Sequence, residues 1–288
     1  MAKRRTAPAL ASRKVANGAD PLVMVTAYDY PSARMVDATD ADMILVGDSL
    51  AMVVLGYEDT LSVTMDDMVH HTAAVARAKP KQLIVGDLPW MSYHVSVEET
   101  VRNAARLIRA GAGAIKLEGG MQRLPMIEAL IAAEMPVMGH IGLTPQSVHA
   151  MGGFKVQGKS TEAALALVDE AKALQAAGCF SIVLEGVPRR VADLVTESLD
   201  IPTVGIGAGP GCDGQVLVFH DMLGLQDDFV PKFVRVYASL KEDGIAALNA
   251  YVDDVRSKAF PNDDESYHMK DEEAEALGLY GSGPPRSD

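Results

Sequence analysis

Short runs rich in Val, Ile and Leu recur along this chain between longer stretches of helical period, and such alternation is the sequence pattern of a parallel α/β architecture. Eight strand candidates can be counted, at residues 23–29, 43–49, 83–89, 114–119, 136–141, 181–187, 201–207 and 232–238. Helix signals fill the spaces between them. Thr64 precedes Met65-Asp66-Asp67 as a cap, residues 97–110 run up to Gly111, and residues 161–177 run up to Gly178. Residues 215–220 are apolar too and compete for the place of the last strand. Only Pro210 to Gly214 separate them from the seventh strand, whereas a parallel connection takes a dozen or more residues. Residues 212–223 therefore read as a helix, opened by Asp213 and closed by Gly224. That reading leaves 232–238 as the eighth strand and 242–255 as the last helix. Eight βα units in about 240 residues predict a closed (β/α)8 TIM barrel in a single domain, with a doubly wound open sheet as the competitor.

No solenoid-scale repeat and no linker rich in Gly, Pro or Ser interrupts the chain. Residues 1–18 read as a basic arm or short helix, 19–261 as the catalytic barrel, and 262–288 as an acidic, solvated, mobile tail. Of the 288 residues, 26 are Lys or Arg and 39 are Asp or Glu, a formal charge of −13. A chain this acidic repels phosphate backbones, and it carries no dense basic stripe, so nucleic acid is not an expected partner. The longest apolar runs stop far short of a membrane span. The two cysteines, Cys179 and Cys212, form no C-x-x-C motif, and the basic N-terminus is followed by no uninterrupted apolar segment; both fit a cytoplasmic protein.

In a barrel of this kind the chemistry sits at the carboxyl ends of the strands. The unexpected polar residues of this chain gather there. Leu45-Val46-Gly47-Asp48-Ser49 and Ile84-Val85-Gly86-Asp87-Leu88 repeat one signature, two apolar residues followed by Gly-Asp. The fourth strand reads Ala114-Ile115-Lys116-Leu117-Glu118, and a period of two puts Lys116 and Glu118 on one face. The fifth ends at His140 and the sixth at Glu185. Each residue also has a bland reading. The aspartates can cap turns, Lys116 and Glu118 can form a structural ion pair, and His140 can be a satisfied core histidine. Glu185 is harder to set aside, because an unpaired buried carboxylate is costly.

Taken together, Asp48, Asp87 and Glu118 from adjacent strands make an all-oxygen set that suits Mg²⁺ and not zinc. A metal beside Lys116 would stabilise an enolate, and Glu185 would be the base that forms it. The glycines of Gly205-Ile206-Gly207-Ala208-Gly209-Pro210-Gly211 do not follow the dinucleotide spacing G-x-G-x-x-G. That stretch reads either as a tight turn or as a loop whose backbone approaches a ligand. Residues 142–159 form a long loop of the kind that serves as a lid.

Several stretches resemble the ketopantoate hydroxymethyltransferase family: Thr26-Ala27-Tyr28-Asp29-Tyr30, Val46-Gly47-Asp48-Ser49-Leu50, Asp87-Leu88-Pro89, Lys116-Leu117-Glu118-Gly119-Gly120, Gly139-His140-Ile141-Gly142-Leu143-Thr144-Pro145-Gln146-Ser147 and Gly205-Ile206-Gly207-Ala208-Gly209. The resemblance runs from about Pro21 to about His268, and residues 269–288 lie beyond it. It implies a Mg²⁺-dependent barrel enzyme of pantothenate biosynthesis. That enzyme carries a one-carbon unit from 5,10-methylenetetrahydrofolate to 3-methyl-2-oxobutanoate, giving 2-dehydropantoate. By the resemblance, Asp48, Asp87 and Glu118 match metal positions, and Glu185 matches the proton acceptor. Ser49, Lys116 and His140, with the two aspartates, match the keto-acid pocket. Gly186 follows Glu185 where the family often has Cys. The resemblance also implies a homo-oligomer, a decamer, with small-molecule substrates only. The rival readings are a Mg²⁺-dependent carbon–carbon lyase on a 2-oxo acid, a Schiff-base aldolase through Lys116, and a non-catalytic barrel that binds a keto acid.

Overall fold

A computed structural model describes residues 4–226 and 230–279. Eight parallel strands follow one another in chain order: β1 (Leu22–Thr26), β2 (Met43–Val46), β3 (Leu83–Asp87), β4 (Ala114–Lys116), β5 (Val137–Gly142), β6 (Ser181–Glu185), β7 (Thr203–Ile206) and β8 (Gly214–Leu217). β8 pairs back onto β1, with Met24 opposite Val216, and this closes the barrel where an open sheet would leave two edges. The helices between the strands start and stop on local chemistry. Thr64 accepts a hydrogen bond from the Asp67 N–H while the Asp67 carboxylate accepts one from the Thr64 N–H, so the helix Met65–Arg77 opens on a capping box. Ser96 caps the helix Val97–Ala110, and Gly111 ends it in the left-handed region at φ +113°.

The eighth strand is not the one expected. Residues 232–238 contain no strand, and the segment read as a helix, 212–223, holds β8 followed by the short helix Phe219–Met222. The twelve-residue expectation for a parallel crossover assumes an intervening helix, and the β7–β8 connection has none. It needs none. Gly214 pairs with Val204, so the chain has only to return along a four-residue strand, and residues 207–213 can reach roughly 23 Å when extended. Gly209 lies inside this loop at φ +81°, where a Cβ would stand 2.8 Å from Arg189 Cγ. Close packing on the helix Arg189–Glu197 therefore accounts for a glycine there.

Alternation along the strands separates two apolar layers. Ile44, Val46, Ile84, Ile115, Val137, Ile182 and Leu184 face the surrounding helices. Leu22, Met24, Met43, Leu45, Leu83, Val85, Ala114, Met138, Val183, Val204 and Val216 fill the barrel interior. The N-terminal arm forms the short helix Ala7–Ala11, and its Ala7 and Leu10 belong to this inner cluster. Lys3 of that arm and Gly281-Ser282-Gly283-Pro284-Pro285 of the tail lie outside the described residues.

The chain divides into two compact units, Met1–Ala238 and Ser239–Asp288. Among the described residues the second holds the helix Leu240–Ser257, a single turn at Asp263–Glu265 and the helix Asp271–Ala276. The last helix of the sequence analysis lies in this unit. Its Tyr251 ring packs against Phe260 at 5.5 Å between centroids.

Candidate active site

The same alternation that builds the interior builds the site. On β3 the inward row runs Leu83, Val85, Asp87, and on β4 it runs Ala114, Lys116, then Glu118 just past the strand. On β5 Met138 is followed by His140, and on β6 Val183 by Glu185. Each row is apolar at the amino end and polar at the carboxyl end. Register then aligns them, with Asp87 opposite Lys116 and Gly142 opposite Glu185.

The result is a continuous chain of charged contacts across the barrel mouth. Lys116 Nζ donates to Asp87 Oδ2 at 2.7 Å and lies 3.8 Å from Glu118 Oε1. His140 Nδ1 stands 3.3 Å from that same Glu118 oxygen, and His140 Nε2 stands 3.2 Å from Glu185 Oε2. Both imidazole contacts are at ion-pair distance, though neither is aligned as a hydrogen bond. Asp48 joins through its backbone, whose N–H donates to Asp87 Oδ2 at 3.3 Å. The Ser49 and Tyr28 hydroxyls are 2.9 Å apart. All the site residues expected from the sequence therefore meet in one place. The Glu185 side chain is the most open of the acidic groups in the ion-pair chain, 16% exposed against 1% for Asp87 and 2% for Glu118.

Burial and neighbouring charge set the protonation of these groups. Burial, together with the charges of Asp87 and Glu118, pushes the Asp48 carboxyl well above the usual range. Burial raises Asp87 as well, against the opposing pull of Lys116. Burial alone would lower Lys116, but Asp87, Glu118 and Asp48 outweigh it and hold the ammonium charged. The burial cost of Glu118 is more than offset by His140 and Lys116, so its carboxyl lies below the usual range. His140 is pushed down by burial and by Lys116, yet Glu118 and Glu185 bring it up to about 9.

The donor set fits a hard divalent cation. Asp48 and Asp87 are two adjacent carboxylates disfavoured as bare anions, and Asp87 Oδ1 is buried with no hydrogen-bond partner. Among the described residues no group of three or more His, Cys, Asp or Glu side chains is arranged to enclose a metal. Mg²⁺ suits such a site, because it keeps several waters and takes one or two carboxylates together with oxygens of the substrate. Glu118 is already engaged on both oxygens, by the Gln146 N–H at 3.1 Å and by His140.

One pair of residues escaped the sequence reading. Gln146 is buried, and its side chain donates to Asp48 Oδ2 at 2.8 Å and to the Leu88 carbonyl at 3.0 Å. The Tyr93 hydroxyl donates to Gln146 Oε1 at 2.7 Å and accepts from the Glu118 N–H at 3.2 Å. Gln146 thus ties Asp48 to Glu118, and Tyr93 fixes which way its amide points. No periodic pattern announces either residue, since both lie after strands. Residues 142–159 are not all loop: Pro145–Ser147 and Val148–Met151 are helical turns, and Thr144 and Gln146 are buried, while Phe154 and Val156 are exposed.

Fold and site together define a (β/α)8 barrel with its ionisable groups at the carboxyl ends of the strands, the arrangement of barrel enzymes. The profile of the family described as ketopantoate hydroxymethyltransferase matches residues 4–263, and this chain belongs to that family. A 3-methyl-2-oxobutanoate hydroxymethyltransferase from Syntrophobacter fumaroxidans is 53% identical over 278 residues, covering 96% of this chain and 98% of its own. One from Enterococcus faecalis is 51% identical over 275 residues, covering 95% and 99%. Among solved structures, phosphonopyruvate hydrolase aligns at a TM-score of 0.60 with 13% identity, over 96% of this chain and 95% of that one. A 2,3-dimethylmalate lyase of the PEP mutase/isocitrate lyase superfamily aligns at 0.57 with 19% identity, over 96% of each. At those identities the likeness is one of fold.

Proposed function

We propose that this chain transfers the one-carbon unit of 5,10-methylenetetrahydrofolate to 3-methyl-2-oxobutanoate, giving 2-dehydropantoate, with Mg²⁺ held by Asp48 and Asp87 and with Glu118 completing the acidic surroundings. The observation that carries the reading is the unbroken chain Asp87, Lys116, Glu118, His140, Glu185, which joins a hard-cation site to an accessible carboxylate. When bound, Mg²⁺ supplies Lewis-acid polarisation of the keto acid's oxygens.

The chain's own groups do the rest. Glu185, the most open acid of the ion-pair chain, removes the proton from C3 of the keto acid. His140, charged and 3.2 Å away, holds that carboxylate in place. Lys116 stays protonated between Asp87 and Glu118 and places positive charge where negative charge develops on the enolate oxygen. The Ser49 hydroxyl, oriented by Tyr28, is positioned to hydrogen-bond the keto acid. C3 then attacks the methylene carried by the folate, and water completes the release of tetrahydrofolate. The same reading carries a cytoplasmic, decameric enzyme; among the described residues no helix is long and apolar enough to cross a membrane.

The test is formation of 2-dehydropantoate from 3-methyl-2-oxobutanoate by the purified chain. Product should require both Mg²⁺ and methylenetetrahydrofolate. Cleavage of a 2-oxo acid without folate would support a lyase, and binding without turnover would support a sensor.

A further inference from the structure

Beyond β8 the chain enters the short helix Phe219–Met222, which carries His220 and Asp221. The Phe219 N–H donates to Thr26 Oγ1 at 2.8 Å, which fixes this turn beside the carboxyl end of β1. The His220 ring lies 5.5 Å from the Tyr28 ring and 5.7 Å from the Phe219 ring, measured between centroids. Tyr28 in turn reaches Ser49 through its hydroxyl. The turn therefore adjoins the keto-acid position while standing outside the chain of contacts from Asp87 to Glu185.

Two polar groups on it have no task in the mechanism above. The Asp221 side chain is partly buried and makes no hydrogen bond or ion pair among the described residues. Burial holds its carboxyl up to about 6. His220 Nδ1 is buried with no hydrogen-bond partner, and burial pushes the imidazole below its usual value, so the ring is neutral at pH 7. Keeping a carboxylate from water without a partner is unfavourable, and a ligand that donates hydrogen bonds would relieve it. The keto acid is not that ligand. Its polar atoms are acceptors and its carboxylate is anionic, so Asp221 would repel it. A reduced folate is different, because the 2-amino-4-oxo-pyrimidine edge of its pterin presents adjacent N–H donors. A carboxylate can accept these in parallel, as it accepts a guanidinium.

We propose that the Phe219–Asp221 turn is the pterin subsite: the Asp221 carboxylate accepts the N–H pair of the pterin edge, and the His220 ring flanks the heterocycle. This rests on the folate-dependent reading above and deepens it by saying where the one-carbon carrier sits. A carrier held here lies next to the Tyr28–Ser49 side of the proposed keto-acid position.

The test uses the full chain with Mg²⁺, comparing wild type with Asp221→Asn and Asp221→Ala. Tetrahydrofolate binding is followed by equilibrium dialysis, and exchange of the C3 proton of 3-methyl-2-oxobutanoate by NMR in deuterated water, a step that needs no folate. The subsite predicts at least a tenfold loss of tetrahydrofolate affinity and a matching rise in KM for methylenetetrahydrofolate, with C3 exchange within twofold of wild type. Unchanged folate affinity overturns it. So does an exchange rate that falls in step with affinity, since that marks Asp221 as structural. A wild type that binds tetrahydrofolate yet makes no 2-dehydropantoate overturns the proposed reaction and leaves the subsite to stand or fall on the variant's affinity.

Discussion

Glu185 lies at the open end of a chain of buried charges, and this position makes it the residue whose loss should be most selective. In Glu185→Gln the amide cannot take a proton, so C3 exchange should fall by roughly 10²–10⁴-fold, while keto-acid binding, carried by other residues, changes little. NMR exchange rates beside a binding titration check this; exchange at the wild-type rate removes Glu185 from the role of base. Gln146 acts one step back from the chemistry. Gln146→Ala unties Asp48 from Glu118 and Tyr93→Phe frees the amide to turn, so Mg²⁺ affinity measured by calorimetry should weaken, about 10–100-fold for the first and less for the second. Asp221 has a consequence for stability. Its carboxyl is at about 6 in the folded chain against an ordinary 3.8, so between these values the folded chain holds a proton that the unfolded chain has lost. Stability contributed this way is complete below pH 3.8 and is lost as pH rises through 6. Asp221→Asn should therefore melt higher than wild type at pH 7.5, with the difference closing near pH 4. A difference that is constant across that range would contradict it.

At the scale of elements, the N-terminal arm and the eighth strand depend on each other. Lys14 Nζ donates to Asp213 Oδ2 at 2.8 Å and to the Thr196 carbonyl at 2.7 Å, while Asp213 accepts from the Val15 and Thr203 N–H groups, both at 2.9 Å. Asp213 immediately precedes β8, so this buried ion pair ties the arm to the entry of the strand that closes the barrel. Removing one partner leaves the other charge buried. Lys14→Ala should cost about 3–5 kcal/mol in denaturant unfolding, far more than trimming an exposed lysine. The strand itself was hidden in the sequence for a related reason. Gly214-Gln215-Val216-Leu217 is four residues long and is joined to β7 by a helix-free loop, so it failed a spacing rule that holds for helical crossovers. Lys232–Ala238 met that rule but forms no strand, and its Tyr237 N–H bonds instead to the Met222 carbonyl.

For the molecule as a whole, charge matters more than shape to the approach of substrate. Five basic residues and no acidic ones lie in 1–18, and two basic against eight acidic lie in 262–288, which leaves −12 of the total −13 on the residues between. Both proposed substrates are anions, so the overall field opposes them and local attraction to Lys116 and the metal must overcome it. Screening should then help. At saturating Mg²⁺, raising ionic strength from about 20 to about 150 mM should lower KM for each substrate, by roughly twofold. A KM that climbs with salt would mean that the field at the mouth is attractive.

The sequence by itself determined the alternating layers, the helix caps at Thr64 and Gly111, and the rows that place Asp87, Lys116, Glu118, His140 and Glu185 at strand ends. These follow from period and local hydrogen bonding, which neighbouring residues carry. Tertiary structure alone decided the short β8, the burial of Lys14 on Asp213, and the union of Gln146 and Tyr93 with Asp48 and Glu118. Those features join residues far apart in the chain, and their energy comes from desolvation and pairing that exist only once the barrel closes.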